Sequence, residues 1–151
     1  MRIRLRMTTP LVIAIFACAF VAFWILLSLL IGAMGGWSAL ARSYRTDLPF
    51  TGKMWHMRSA RMGWLTRYSG VLTVGVNAAG LYLAVLPLFR VGHPPLFVPW
   101  PDVGVTGERR LIMSFIVFRF RQAPGATLWL YERFAREVLE TARQPTTMHA
   151  P

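Results

Sequence analysis

The residues able to do acid–base or metal chemistry are six carboxylates (Asp47, Asp102, Glu108, Glu132, Glu137, Glu140), three histidines (His56, His93, His149) and one thiol, Cys18. A general acid–base pair needs two titratable groups brought together in environments that separate their pKa values. Three of the carboxylates instead recur in one stretch, where Glu132–Arg136 and Arg136–Glu140 have the i,i+4 spacing of solvated ion pairs on a helix. His56 falls in an alternating stretch, His93 in Gly-His-Pro-Pro and His149 in a Pro/Thr-rich tail, and none has a second ligand at metal spacing. There is no Gly-x-Ser-x-Gly elbow. Gly70, Gly75 and Gly80 are spread along a strand-like stretch and do not open a helix, so no phosphate loop is implied. These residues predict a chain that is not an enzyme and has no cofactor, metal or small-molecule substrate.

The cations carry more information. Sixteen of the seventeen basic residues are arginine, Lys53 is the exception, and the net charge is +11. Lys53, Arg58, Arg61 and Arg67 stand among Trp55, Trp64, Met54, Met57 and Met62 with no acid between them. Protein interfaces and lipid headgroup regions both favour that mixture. With Arg90, Arg109 and Arg110 they form the expected contact set for anionic lipid or a protein partner, the other reading being an ordinary solvated strand face. The arginines are spread over many segments, not gathered in a nucleic-acid module, so nucleic acid is not expected.

The element that must position them is Leu11–Met34, 24 residues without a charge. At ~1.5 Å per residue it reaches roughly 36 Å as a helix, enough to cross the ~30 Å hydrocarbon core of a bilayer with some tilt. A transmembrane helix is expected over 10–36, after a basic tail over 1–9. The run exceeds the ~7–15 apolar residues of a signal peptide, although Ala39-Leu40-Ala41 resembles a cleavage site. At ~100° per residue, Ala14, Cys18, Ala22, Ser28, Gly32 and Gly36 share one stripe, opposite Phe16, Phe20, Phe23, Leu27 and Leu30. Small residues admit a neighbouring backbone, so this stripe is the expected docking face for another transmembrane helix, with Cys18 a small hydrophobe within it. Trp37 is the expected interfacial anchor. Basic residues flank both ends, which leaves the side of the membrane taken by the remaining chain undecided.

Residues 37–52 read as a helical extension and a linker ending at Pro49 and Gly52, 53–143 as a β-rich domain closed by a helix, and 144–151 as a tail. Alternation over 53–62 predicts a half-buried strand. Residues 68–86 predict a hairpin turning at Asn77–Gly80, where Asn and Gly tolerate positive φ. Leu96–Trp100 is a short strand that Pro99 confines to an edge or a bulge. Leu111–Phe120 is the most apolar strand, and Pro124-Gly125 is expected to turn the chain into Ala126–Leu130. Tyr131, Phe134, Ala135, Val138, Leu139 and Ala142 then repeat at helical spacing until Pro145. The expected fold class is one N-terminal transmembrane helix plus a small antiparallel, mostly-β domain closed by a C-terminal helix.

Within that frame, Gly80-Leu-Tyr-Leu, His93-Pro-Pro-Leu and Val98-Pro-Trp-Pro-Asp-Val103 resemble segments of small uncharacterised bacterial membrane-anchored proteins with a pleckstrin-homology-like domain, over roughly residues 37–131. The resemblance implies a bent antiparallel sheet capped by one helix and carries no assigned activity; such domains commonly bind lipid headgroups or proteins. The expected function is that of a non-catalytic, single-pass accessory subunit in the bacterial cytoplasmic membrane. Its small-residue face would dock into a larger complex of respiratory or photosynthetic type, with membrane lipids and other transmembrane subunits as partners. The alternative is a membrane-tethered module that reads anionic headgroups or a protein through its cations.

Overall fold

The computed structural model describes residues 3–63, 66–110 and 112–144; Arg2, Trp64, Leu111, Pro145, His149 and the 145–151 part of the expected tail lie outside the described residues. Ile3–Met34 forms one helix, α1, with Pro10 inside it, so most of the stretch expected as a tail is helical. The proline ring holds φ near the helical value but removes one backbone donor and crowds the carbonyl four residues before it, a local cost within α1. Within α1, Thr9–Met34 is 26 residues of mean hydropathy 2.8, long and apolar enough to cross a membrane. The helix ends where the Gly35 N–H donates to the Ile31 carbonyl at 2.9 Å and Gly36 takes φ 84°, a left-handed conformation that favours glycine. Trp37–Tyr44 then forms α2, so the expected linker opens as a helix. Its buried residues, Trp37, Leu40 and Tyr44, recur at spacings of three and four, one face of a helix.

Seven strands follow: β1 (Lys53–Met62), β2 (Thr66–Val76), β3 (Gly80–Val85), β4 (Leu96–Pro99), β5 (Val103–Arg110), β6 (Met113–Phe120) and β7 (Ala123–Tyr131), before the helix α3 (Glu132–Arg143). They form one antiparallel sheet in the order β4-β3-β2-β1-β7-β6-β5. A flat sheet in that order would hold β4 and β5 about 29 Å apart at ~4.8 Å per strand. Only Trp100–Asp102, a 3-10 turn, joins Pro99 to Val103, and so few residues reach at most ~14 Å. The sheet must therefore curl until its two edges approach. Inside the curl lie Leu72, Val74, Leu81, Leu83, Leu96 and Val98 from one half and Phe118, Phe120, Leu128 and Leu130 from the other, all buried, with α2 packed among them. Ala135 and Val138 bring α3 onto the same core.

Several local expectations change. β1 does not alternate throughout: Trp55 is buried and so are Ala60 and Met62, because the register slips between Trp55 and Ala60 and Met57 takes φ 55°. A bulge of this kind swaps the faces of the residues beyond it. The turn at Asn77 forms without positive φ at Asn77 or Gly80; the Asn77 Oδ1 accepts from the N–H groups of Ala79 and Gly80 at 2.9 and 3.0 Å, a side-chain turn. Gly80 is required for another reason, since a Cβ there would strike the Val98 carbonyl. Pro124 and Gly125 lie inside β7, and the chain reverses earlier, at Arg121-Gln122. No strand was expected over β5, whose glycines and charges suit no buried face, yet its eight residues pair with β6.

Candidate functional site at the helix–domain junction

The second half of α1 does not stand clear of the domain. Ser28, Gly32 and Gly35 are buried against it. The tightest point is a pair of glycines: a Cβ on Gly32 would lie 2.7 Å from the Gly92 carbonyl oxygen, and one on Gly92, where φ is 78°, would lie 3.1 Å from the Leu29 Cα. Lower down, Gly35 faces Thr66, and Gly36 faces Ala126. Half of the stripe expected to receive another transmembrane helix, Ser28, Gly32 and Gly36, is thus occupied by this chain's own β domain. Ala14, Cys18 and Ala22 remain exposed.

The β3–β4 connection makes the contact. A 3-10 turn at Pro87–Phe89 places Phe89 against Trp24, ring centroids 5.3 Å apart, and the Trp24 Nε1–H points to the Leu88 carbonyl at 3.5 Å. His93 follows, 2% exposed. Its Nε2 is 2.9 Å from the Tyr68 hydroxyl and its Nδ1 is 3.3 Å from the Val91 carbonyl. A carbonyl can only accept, so Nδ1 carries the proton and Nε2 accepts from Tyr68. Burial holds His93 below its ordinary pKa and pushes the Tyr68 phenol above its own, so both are neutral. The pair locks the loop to β2, with both ring nitrogens committed. Among the described residues no group of three His, Cys, Asp or Glu could hold a metal. Gly-His-Pro-Pro carried the available signal for this junction: a glycine for close approach, then a ring that can bond on both sides.

Trp37, expected to anchor at the headgroups, is fully buried. Its Nε1–H donates to the Pro94 carbonyl at 2.9 Å and its ring meets His93 edge-on at 5.3 Å and Tyr68 at 5.8 Å. The turn at Gly35-Gly36 swings α2 into the sheet's interior and carries the indole with it, so Trp37 is a core residue and not an interfacial anchor.

Between α1 and the domain lies a cleft of about 210 Å³, walled by Trp24, Leu27 and Ile31 on one side and Val71 and Phe89 on the other, with Arg67 among its lining residues. Arg67 also donates to the Tyr131 hydroxyl at 3.5 Å. Arg61 pairs across the sheet with Arg67 and with Trp129, and the Arg110 guanidinium sits 5.1 Å from the Trp129 ring centroid. Phe115 packs on Trp129 and Tyr131 at 6.1 and 5.1 Å. Three expected contact cations, Arg61, Arg67 and Arg110, therefore meet one aromatic surface. Arg90 ends the 3-10 turn, and Arg109 precedes Arg110 at the β5–β6 turn. Lys53 and Arg58 belong elsewhere: they lie over Trp55 and Phe134, 6.0 and 4.7 Å from the ring centroids, beside α3. The seven cations do not form one surface.

Two acids, Asp102 and Glu137, the second of them one of the three carboxylates read as solvated on the final helix, have structural work. Asp102 Oδ2 accepts from the Tyr44 hydroxyl and the Gln122 amide, each at 3.0 Å, and Glu137 accepts from the Trp55 indole at 2.8 Å. Glu132 does pair with Arg136, whose hydrogen bond holds its carboxyl below the usual range. No family model, no curated protein and no solved structure matches this chain.

Proposed function

We propose that this chain is a non-catalytic, single-pass protein of a bacterial cytoplasmic membrane whose pleckstrin-homology-like domain, docked on its own span, presents Arg61, Arg67 and Arg110 to anionic headgroups. The observation that carries the reading is the place of Arg67. It lines the cleft beside Trp24 and Leu27 of the apolar helix and also reaches Tyr131 on the aromatic surface. A basic, aromatic face thus begins alongside the span. Cations there gain ~1 kcal/mol each from an anionic surface, and aromatic rings settle at headgroup depth. A curled seven-stranded antiparallel sheet with a C-terminal helix supports the pleckstrin-like assignment. A retained span, not a cleaved leader, is supported by α2: cutting at Ala39–Ala41 would remove the fully buried Trp37 and sever the chain beside the fully buried Leu40.

The test is lipid selectivity of the reconstituted full chain, read by electron paramagnetic resonance as immobilisation of spin-labelled anionic over zwitterionic lipid. Selectivity should fall with salt and in the triple variant R61Q/R67Q/R110Q. Equal immobilisation of both lipids at low salt would sink the reading.

A second reading, an accessory subunit of a larger complex, is favoured by Ala14, Cys18 and Ala22, which stay exposed on the free half of α1. Purification in mild detergent followed by mass spectrometry would find a stoichiometric membrane partner that Ala22→Leu releases. A wild-type chain that purifies alone would remove this reading.

A further inference from the structure

The β3–β4 connection touches α1 at a height that has a consequence for the bilayer. Its 3-10 turn meets Trp24, and Gly92 meets Leu29, whereas the apolar segment runs on to Met34. Trp24 precedes Met34 by ten residues, about 15 Å along the helix. A hydrocarbon core ~30 Å thick takes up ~20 helical residues. If that core begins at Thr9 it ends near Ser28, and Trp24 lies ~6 Å inside it. If it is centred on the 26-residue segment it ends near Ile31, and Trp24 lies ~10 Å inside. Moving the core further toward the N-terminus would draw in Arg4 and Arg6, each costly there.

We propose that the turn Pro87–Val91 is a membrane-inserted wedge, with Leu88 and Val91 in contact with lipid acyl chains beside α1. This rests on the reading of α1 as a membrane span and goes beyond the headgroup contact proposed above. The chemistry of the turn fits a bilayer edge. Leu88 and Val91 are 68% and 42% exposed, an unusual outlay of apolar surface on a five-residue turn. Backbone polar groups entering hydrocarbon must be paired. Pro87 has no N–H to pair, and three of the six N–H groups from Leu88 to His93, those of Phe89, Arg90 and His93, donate to the carbonyls of Leu86, Pro87 and Arg90. His93, whose ring lies against Gly32, is bonded at both nitrogens. Arg90 within the turn and Arg67 beside it have exposed side chains long enough to carry their charge outward to the phosphates. The adjoining cleft is walled by Trp24, Leu27, Ile31, Val71 and Phe89, with Ser28, Arg67, Tyr68, Ser69 and His93 completing its lining.

The experiment uses the full chain with Cys18→Ala, carrying a single cysteine labelled with an environment-sensitive fluorophore and reconstituted in vesicles. Leu88→Cys and Val91→Cys report on the wedge. Phe20→Cys reports on the span, and Leu48→Cys, 78% exposed beside the β2–β3 turn residue Asn77, reports on the far end of the domain. Labels at 88 and 91 should be quenched by acyl-chain nitroxides several-fold more than the label at 48, and shielded from aqueous iodide. The quenching should persist in wholly zwitterionic vesicles, where the anionic selectivity of the proposed function is lost, which separates the two ideas. Labels at 88 and 91 that behave like the one at 48 while 20 is quenched would overturn the wedge alone. Absence of quenching at 20 as well would overturn the wedge and the span together.

Discussion

From Leu11 to Phe23 every residue of α1 is exposed, Ala14, Cys18 and Ala22 among them; from Trp24 to Met34 one face of the same helix, with the same kind of small-residue stripe, is packed against a β domain. The two halves differ less in composition than in reach. The outer half extends past everything the domain can touch, whereas the inner half meets a loop that brings its own glycine, Gly92, to Gly32. Small residues specify that something comes close and leave the identity of the neighbour to the rest of the chain. Here the neighbour is the chain itself. A substitution at Gly32 therefore reports on the domain's seat, and one at Ala22 on whatever meets the free half.

The largest effect is expected where the inner half hands over to the core. Trp37→Ala removes a fully buried indole and its bond to the Pro94 carbonyl, and should cost ~3–5 kcal/mol in denaturant unfolding followed by far-UV circular dichroism. Trp24→Ala, by contrast, removes a half-buried ring on the helix side of the same loop and should cost well under that. Equal losses would mean that the domain and the helix unfold as one unit, with no boundary between them at Gly35-Gly36.

Gly32→Val comes next. Its Cβ would enter the Gly92 carbonyl at 2.7 Å, and backbone on both sides leaves little room to yield, so a cost of ~1–3 kcal/mol is expected together with faster proteolysis at the Gly35-Gly36 turn. Unchanged stability and protection would show that the seat between helix and loop is loose.

The elements were legible to the extent that pattern and core coincide. The hairpin around Asn77, the Pro99 edge strand and the 3.6-residue repeat of α3 express burial on one face, and each forms, whereas the apolar run of α1 was legible from its length and composition. The misses have a common physical source: the decisive interaction was remote in sequence. β5 is held by pairing along the whole of β6, and Val-Gly-Val-Thr-Gly-Glu-Arg-Arg has no local reason to be extended. Trp37 next to an apolar run fits a headgroup anchor, and only the turn at Gly36 and the rings of Tyr68 and His93 make it core. The site was half legible for the same reason. Arg61 and Arg67 were found together because β1 and β2 are neighbours in sequence, whereas Arg110 and Trp129 join them only through the curled sheet.

Tyr68→Phe isolates the polar lock between loop and sheet. Without the hydroxyl, His93 Nε2 is a buried acceptor without a donor, at a cost of ~1–3 kcal/mol. The wild type should also lose stability in acid at this residue. Burial lowers the folded pKa of His93 from 6.5, so between that lowered value and 6.5 the unfolded chain binds more protons than the folded one. The contribution is present above pH 6.5 and is lost as pH falls through the folded value. Thermal midpoints from pH 7.5 down to 5.5 should therefore drop, and in His93→Gln this part of the slope should vanish. A slope unaltered in His93→Gln would place the acid sensitivity elsewhere.

The smallest effect is the one that most sharply divides the halves of α1. Ala22→Leu adds volume on the stripe shared with Gly32, yet the domain does not reach that far and the alanine is exposed. Its unfolding midpoint should match the wild type within ~0.5 kcal/mol, as surface changes usually do. If stability holds while a co-purifying membrane protein is lost, the outer half has its own partner and the two halves divide one stripe between two neighbours. If stability falls instead, the domain's contact extends beyond Trp24, and the boundary drawn between the halves moves outward along the helix.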